Sequence, residues 1–96
     1  MRALFKAPEN DKFREIVIPN DLHVLQQLVG GYIEVVTISE DAAVICNEEG
    51  HILRLPYNCE YEGVMYVGPI LVVGVDGEEF TDAPMSKMQA DGGIEA

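Results

Sequence analysis

Apolar residues along this chain switch between two periods. From Leu22 to Val29 they recur at helical spacing, with Leu22, Leu25, Leu28 and Val29 on one face and Gln26 and Gln27 outward. Pro19-Asn20-Asp21 precedes the run, with Asn20 read as the N-cap and Asp21 complementing the positive end of the helix dipole. Gly30-Gly31 stops the helix, because glycine reaches the left-handed conformation without a Cβ clash. A helix of two to three turns is unstable alone and must pack on a sheet. From Tyr32 the period becomes two: Tyr32 to Ile38 is a β-branched strand.

Other strands follow from the same alternation. Arg2 to Lys6 and Phe13 to Ile18 are extended, separated by the turn-rich Ala7-Pro8-Glu9-Asn10-Asp11-Lys12. Ser39-Glu40-Asp41 turns the chain into Ala42 to Asn47. Asn47-Glu48-Glu49-Gly50 is a second turn, with Gly50 placed for a positive φ, and His51 to Leu55 reads as the return strand. Pro56-Tyr57-Asn58 breaks the ladder, and a loop runs to about Gly63. Val64 to Val75 is a short strand, a bend at Gly68-Pro69, and a core strand from Ile70. Asp76-Gly77 signals a hairpin into Glu79-Phe80-Thr81. The expected architecture is α+β: a curved, mostly antiparallel sheet of five to seven short strands with one short helix on one face. Residues 1–81 form the expected domain. Residues 82–96 read as a helical turn from Asp82-Ala83-Pro84 and a loose acidic tail.

Length limits the chain to one core: 96 residues match a single domain. Charge adds more. Seventeen Asp and Glu against six Lys and Arg leave a net charge of −11, with no Lys or Arg between Arg14 and Arg54. Phosphate backbones and anionic membrane surfaces both recruit basic residues, so direct nucleic-acid and membrane binding are disfavoured. An acidic surface steers basic partners instead. The two cysteines, Cys46 and Cys59, lack zinc spacing, and Cys46 reads as a buried free thiol. With no signal peptide or membrane-length apolar run, the expected compartment is the reducing cytoplasm.

Candidate chemistry is sparse. His23 and His51 read as surface residues, and Ser39 and Ser86 lack a strained elbow motif, so no enzyme is expected. The paired acids at 40–41, 48–49 and 78–79 fall at turns. Metal spacing is absent, and no glycine loop could cradle a cofactor phosphate. Glu34 stands out because it shares a strand face with Tyr32, Val36 and Ile38; a carboxylate there must be at an edge, paired or used. Arg54, on another strand, is its expected ion-pair partner. The candidate binding surface is Glu34 and Arg54 with the polar and aromatic residues at the ends of the His51 strand: Asn47, Glu48, Glu49, Tyr57 and Asn58.

The segments Leu25 to Val36, Ile45-Cys46-Asn47-Glu48-Glu49-Gly50, Leu53 to Asn58 and Gly68 to Gly74 together resemble the domain-of-unknown-function family numbered 3846, over roughly residues 2 to 81. The resemblance implies a small protein of bacteria, phages and conjugative elements, without established activity or catalytic residues. The expected function is a non-enzymatic interaction protein, in its sharper form an acidic decoy for a basic host or phage protein. Two alternatives stand beside it. One is a small-molecule binding module, requiring a deep pocket lined by Tyr32, Tyr57 or Tyr66. The other is a homo-oligomer paired through an exposed strand edge.

Overall fold

The computed structural model describes residues 1–95. In chain order these form β1 (Arg2–Lys6), β2 (Arg14–Val17), α1 (Leu22–Val29), β3 (Ile33–Ser39), β4 (Ala42–Asn47), β5 (Tyr57–Tyr61), β6 (Val64–Val67), β7 (Ile70–Asp76), β8 (Glu79–Thr81), α2 (Lys87–Gly92) and β9 (Ile94–Glu95). The larger sheet runs β2-β1-β7-β4-β3, with β8 paired to β7 beyond the end of β1. A second sheet runs β6-β5-β9. Every pairing is antiparallel. The α+β class and the antiparallel hairpins expected from the sequence are those of the structure.

Side chains alternate across a strand, so β1, β4 and β7 feed two cores at once. Ala3, Phe5, Ile45, Leu71 and Val73 pack under α1 against Leu25 and Val29. Leu4, Val44, Cys46, Ile70 and Val72 point the other way, toward Cys59, Tyr61 and Tyr66 of the small sheet. Coverage on both faces explains why β4 and most of β7 are buried at successive positions. The second sheet is the main departure from the expected single-sheet arrangement.

Local chemistry explains the boundaries. Asp21, rather than Asn20, caps α1: its Oδ1 accepts the His23 N–H at 2.7 Å, while Asn20 donates its side-chain amide to Phe80 O. Gly30 ends the helix at φ 82° and returns its N–H to Gln26 O. At β7, a Cβ on Gly74 would collide with the Asp82 carbonyl oxygen, so only glycine lets the chain after β8 cross there. That crossing is held by Arg2, whose N–H reaches Asp82 Oδ1 and whose guanidinium reaches Ala83 O and Met85 O.

Three expectations change here. His51 to Leu55 is not a strand but a run of turns, in which Leu53 and Leu55 N–H groups return to Glu49 O and Gly50 O. The left-handed residue is Arg54 at φ 56°, and not Gly50, which is buried against Val67. Second, the expected loop after Tyr57 is β5; Cys59 and Tyr61 face the core while Glu60 faces out. Third, residues 82–95 are part of the fold. Ser86 and Gln89 form a reciprocal capping box on α2. Asp91 Oδ1 accepts the Phe13 N–H at 2.7 Å, Ala83 and Ala90 are buried, and β9 pairs with β5. Burial works against the Asp91 charge, but the Lys87 ammonium and the Phe13 N–H outweigh it and hold the carboxyl below its usual range.

Candidate functional site

Cross-strand register brings the site together. In β3 and β4, Glu34 stands opposite Cys46, on the face that looks toward the small sheet. Across the gap β6 presents Val64 to Val67, with Tyr66 pointing inward. The sheets do not close fully at this end. A cavity of about 270 Å³ remains, lined by Glu34 and Val36 of β3, Cys46 and Asn47 of β4, the β6 strand, and His51 from the turn region.

The decisive atom is the Tyr66 hydroxyl. Tyr66 is 3% exposed, and its Oη has no hydrogen-bond partner. Native proteins rarely leave a buried hydroxyl unpaired, because the group has given up water at a cost of roughly 1–3 kcal/mol. Burial, followed by the negative fields of Cys46, Cys59, Glu34 and Tyr61, pushes the phenol's pKa upward. It therefore stays a neutral donor and acceptor. Burial and the Glu34 charge likewise push the Cys46 thiol up to about 11. Cys46 Sγ faces Glu34 Oε1 in a long contact of 4.0 Å. This runs opposite to what a nucleophilic cysteine needs, which is a cationic neighbour and a depressed pKa. Although His51 shares the cavity, Cys46 is held protonated.

Asn47 forms the wall between this cavity and a second hollow on the α1 side. Its Nδ2 donates to Val29 O at 3.1 Å and its Oδ1 accepts the Glu49 N–H at 2.8 Å, so its amide ties the end of α1 to the turn. The second hollow, about 390 Å³, is lined by Gln26, Gly30, Gly31, Tyr32 and Leu53 together with Asn47 and Glu49. No buried, unpartnered polar atom marks it among the described residues.

The residues expected from sequence therefore divide. Glu34 and Asn47 line the first cavity, and Asn47 and Glu49 the second. Glu48, Arg54 and Tyr57 are exposed and line neither. Asn58 is structural: its Nδ2 donates to Lys6 O and Gly68 O, and its Oδ1 accepts the buried Lys6 ammonium at 2.7 Å, which fastens the two sheets. The expected Glu34–Arg54 ion pair does not form. Arg54 sits on the turn, and the ion pairs among the described residues are Arg2–Glu15 and Lys87–Asp91. Of the tyrosines expected of a small-molecule pocket, Tyr66 lines the first cavity and Tyr32 the second, while Cys46 and His51 are polar lining residues absent from the expected set. Tyr66 carried a weak signal, being a phenol within a strand that is otherwise apolar.

Among the described residues no three His, Cys, Asp or Glu side chains gather to hold a metal. No helix among them is long and apolar enough to cross a membrane. Neither the curated proteins nor the solved structures contain a match to the chain. The family model for the domain of unknown function DUF3846 matches residues 1–91, nearly the whole chain, and the protein belongs to that family.

Proposed function

We propose that this protein is a non-catalytic binding module that holds a small molecule in the cavity between its two sheets. The observation that carries the reading is the Tyr66 hydroxyl, buried without a partner beside a space of about 270 Å³. A local opening of the Tyr66 ring toward the cavity it lines would let a ligand atom supply what the fold leaves out. Val36, Val64 and Val67 offer apolar walls, and Glu34, His51 and the Cys46 thiol offer polar anchors. The volume lies just below the roughly 300–1,000 Å³ typical of drug-sized ligands, so a small metabolite fits better than a dinucleotide. Amide-detected NMR against a library of small polar fragments tests the reading. Shifts concentrated at Glu34, Cys46 and Tyr66, and weakened in Tyr66→Phe, support it; hits scattered over the surface, or none, overturn it.

A second reading, capture of a basic protein, is favoured by the placement of the cations. Lys6 is buried, and Arg2 and Lys87 are each held against a carboxylate. Fewer positive groups thus project freely than the six in the sequence, against seventeen acids. A pull-down washed at low and high salt tests it. A Lys/Arg-rich partner released by salt supports the reading, and recovery of no such partner refutes it.

A further inference from the structure

Resting on the reading of the inter-sheet cavity as a ligand site, we infer that its ligand is a small organic cation, an ammonium or amidinium carried on a compact apolar body. Among the residues lining the cavity Glu34 is the one carboxylate, no Lys or Arg faces in, and the remaining titratable groups are His51, Cys46 and Tyr66. Cys46 and Tyr66 are neutral, so neither balances that charge. An anionic ligand would meet Glu34 at close range with no Lys or Arg to offset it, and would have to enter through the field of a protein of net charge −11.

A cation answers the charged feature of the lining. Its N–H groups donate to the exposed Glu34 carboxylate on the cavity wall. Charge-assisted hydrogen bonds of this kind are roughly twice as strong as neutral ones. The Lys6 ammonium does not take this role, because it is already directed to the Asn58 carbonyl and side-chain oxygens and does not line the cavity. Arg54, the base expected to neutralise Glu34, sits out on its turn. Glu34 is therefore left with a long hydrogen bond from the Cys46 thiol, at 4.0 Å, and no ion pair among the described residues. The apolar body of the ligand would lie against Val36, Val64 and Val67.

Three probes of one shape and different charge separate the possibilities: benzylamine, benzyl alcohol and benzoate. Each is titrated into the isotope-labelled full chain at neutral pH, with amide shifts read at Glu34, Cys46, Tyr66 and Val67. Benzylammonium is expected to bind about tenfold more tightly than benzyl alcohol, a difference of about 1.4 kcal/mol, with benzoate the weakest. Glu34→Gln, an exposed change that leaves both cores intact, should erase the advantage of the amine while sparing the alcohol. Equal binding of amine and alcohol, or preference for benzoate, overturns the cation assignment and leaves the cavity reading standing. An amine advantage that survives Glu34→Gln also overturns it, since general surface acidity would then be the cause. If none of the three moves the cavity resonances the assignment falls, and the fragment screen decides separately whether the cavity binds anything.

Discussion

Replacing Tyr66 with Phe should make the protein more stable and the proposed ligand site poorer. The ring packs in the core between the sheets and is retained by the substitution. What leaves is one buried oxygen that makes no hydrogen bond. Removing a paired hydroxyl strands its partner; here no partner is stranded, and a desolvation penalty of roughly 1–3 kcal/mol is relieved. The space vacated is that of a single oxygen atom, so little packing is lost. We expect a net gain of about 1 kcal/mol. For a domain of this size that raises the thermal midpoint by roughly 4–8 °C. With a urea slope of about 2 kcal/mol/M, the urea midpoint rises by about 0.5 M. The assay is equilibrium urea unfolding of both proteins without ligand, with a thermal scan as a second probe. A Tyr66→Phe protein that unfolds at lower urea than the parent would refute the reasoning, because the hydroxyl must then hold a bond that stabilises the fold. Retention of an unpaired hydroxyl against a stability gain is the trade-off expected under the proposed binding role.

Alkaline pH should unfold the protein early. Below about pH 9 the Cys46 thiol is protonated in both states. Above it the unfolded chain releases the proton while the folded chain keeps it to about 11, so that stability contribution is lost across this window. Tyr61, pushed up to about 12 by burial and then by Glu62, Cys59 and Asp91, extends the decline; a urea midpoint that stays flat between about pH 9 and about pH 11 contradicts the argument. Gly74→Ala should cost more than about 3 kcal/mol, since its Cβ meets the Asp82 backbone rather than a movable side chain; a urea midpoint near the parent's would show that the crossing can shift. Ser86→Ala should cost about 1 kcal/mol by removing the N-cap of α2. Ending the chain at Thr81 should be far worse, since it removes buried Ala83 and Ala90 and the Asp91 bond to Phe13; a truncated protein as stable as the full chain would show that the segment docks weakly.

Much of the fold is legible in local pattern because each such element carries its own signal. The helical spacing from Leu22, the glycines at 30 and 31, the β-branched run at 33–38 and the Asp76-Gly77 hairpin all state their geometry within a few residues. The net charge of −11 is likewise a property of composition alone. Glu34 could be singled out because a carboxylate breaks an otherwise apolar strand face. Tertiary structure decided the rest, wherever the outcome depended on a distant partner. The turns at 51–55 have strand-like composition, yet the chain needs a left-handed Arg54 there to enter β5. The segment after Thr81 looks loose by itself and is ordered by Arg2, Phe13 and β5, all far away in sequence. Tyr66 is legible in the sequence only as one of three tyrosines that a pocket could use. It joins Cys46 and Glu34 in lining one cavity only because the small sheet folds over the β3–β4 hairpin and stops short of closing. Periodicity sets which face a side chain takes, whereas what stands opposite that face is set by the path of the whole chain.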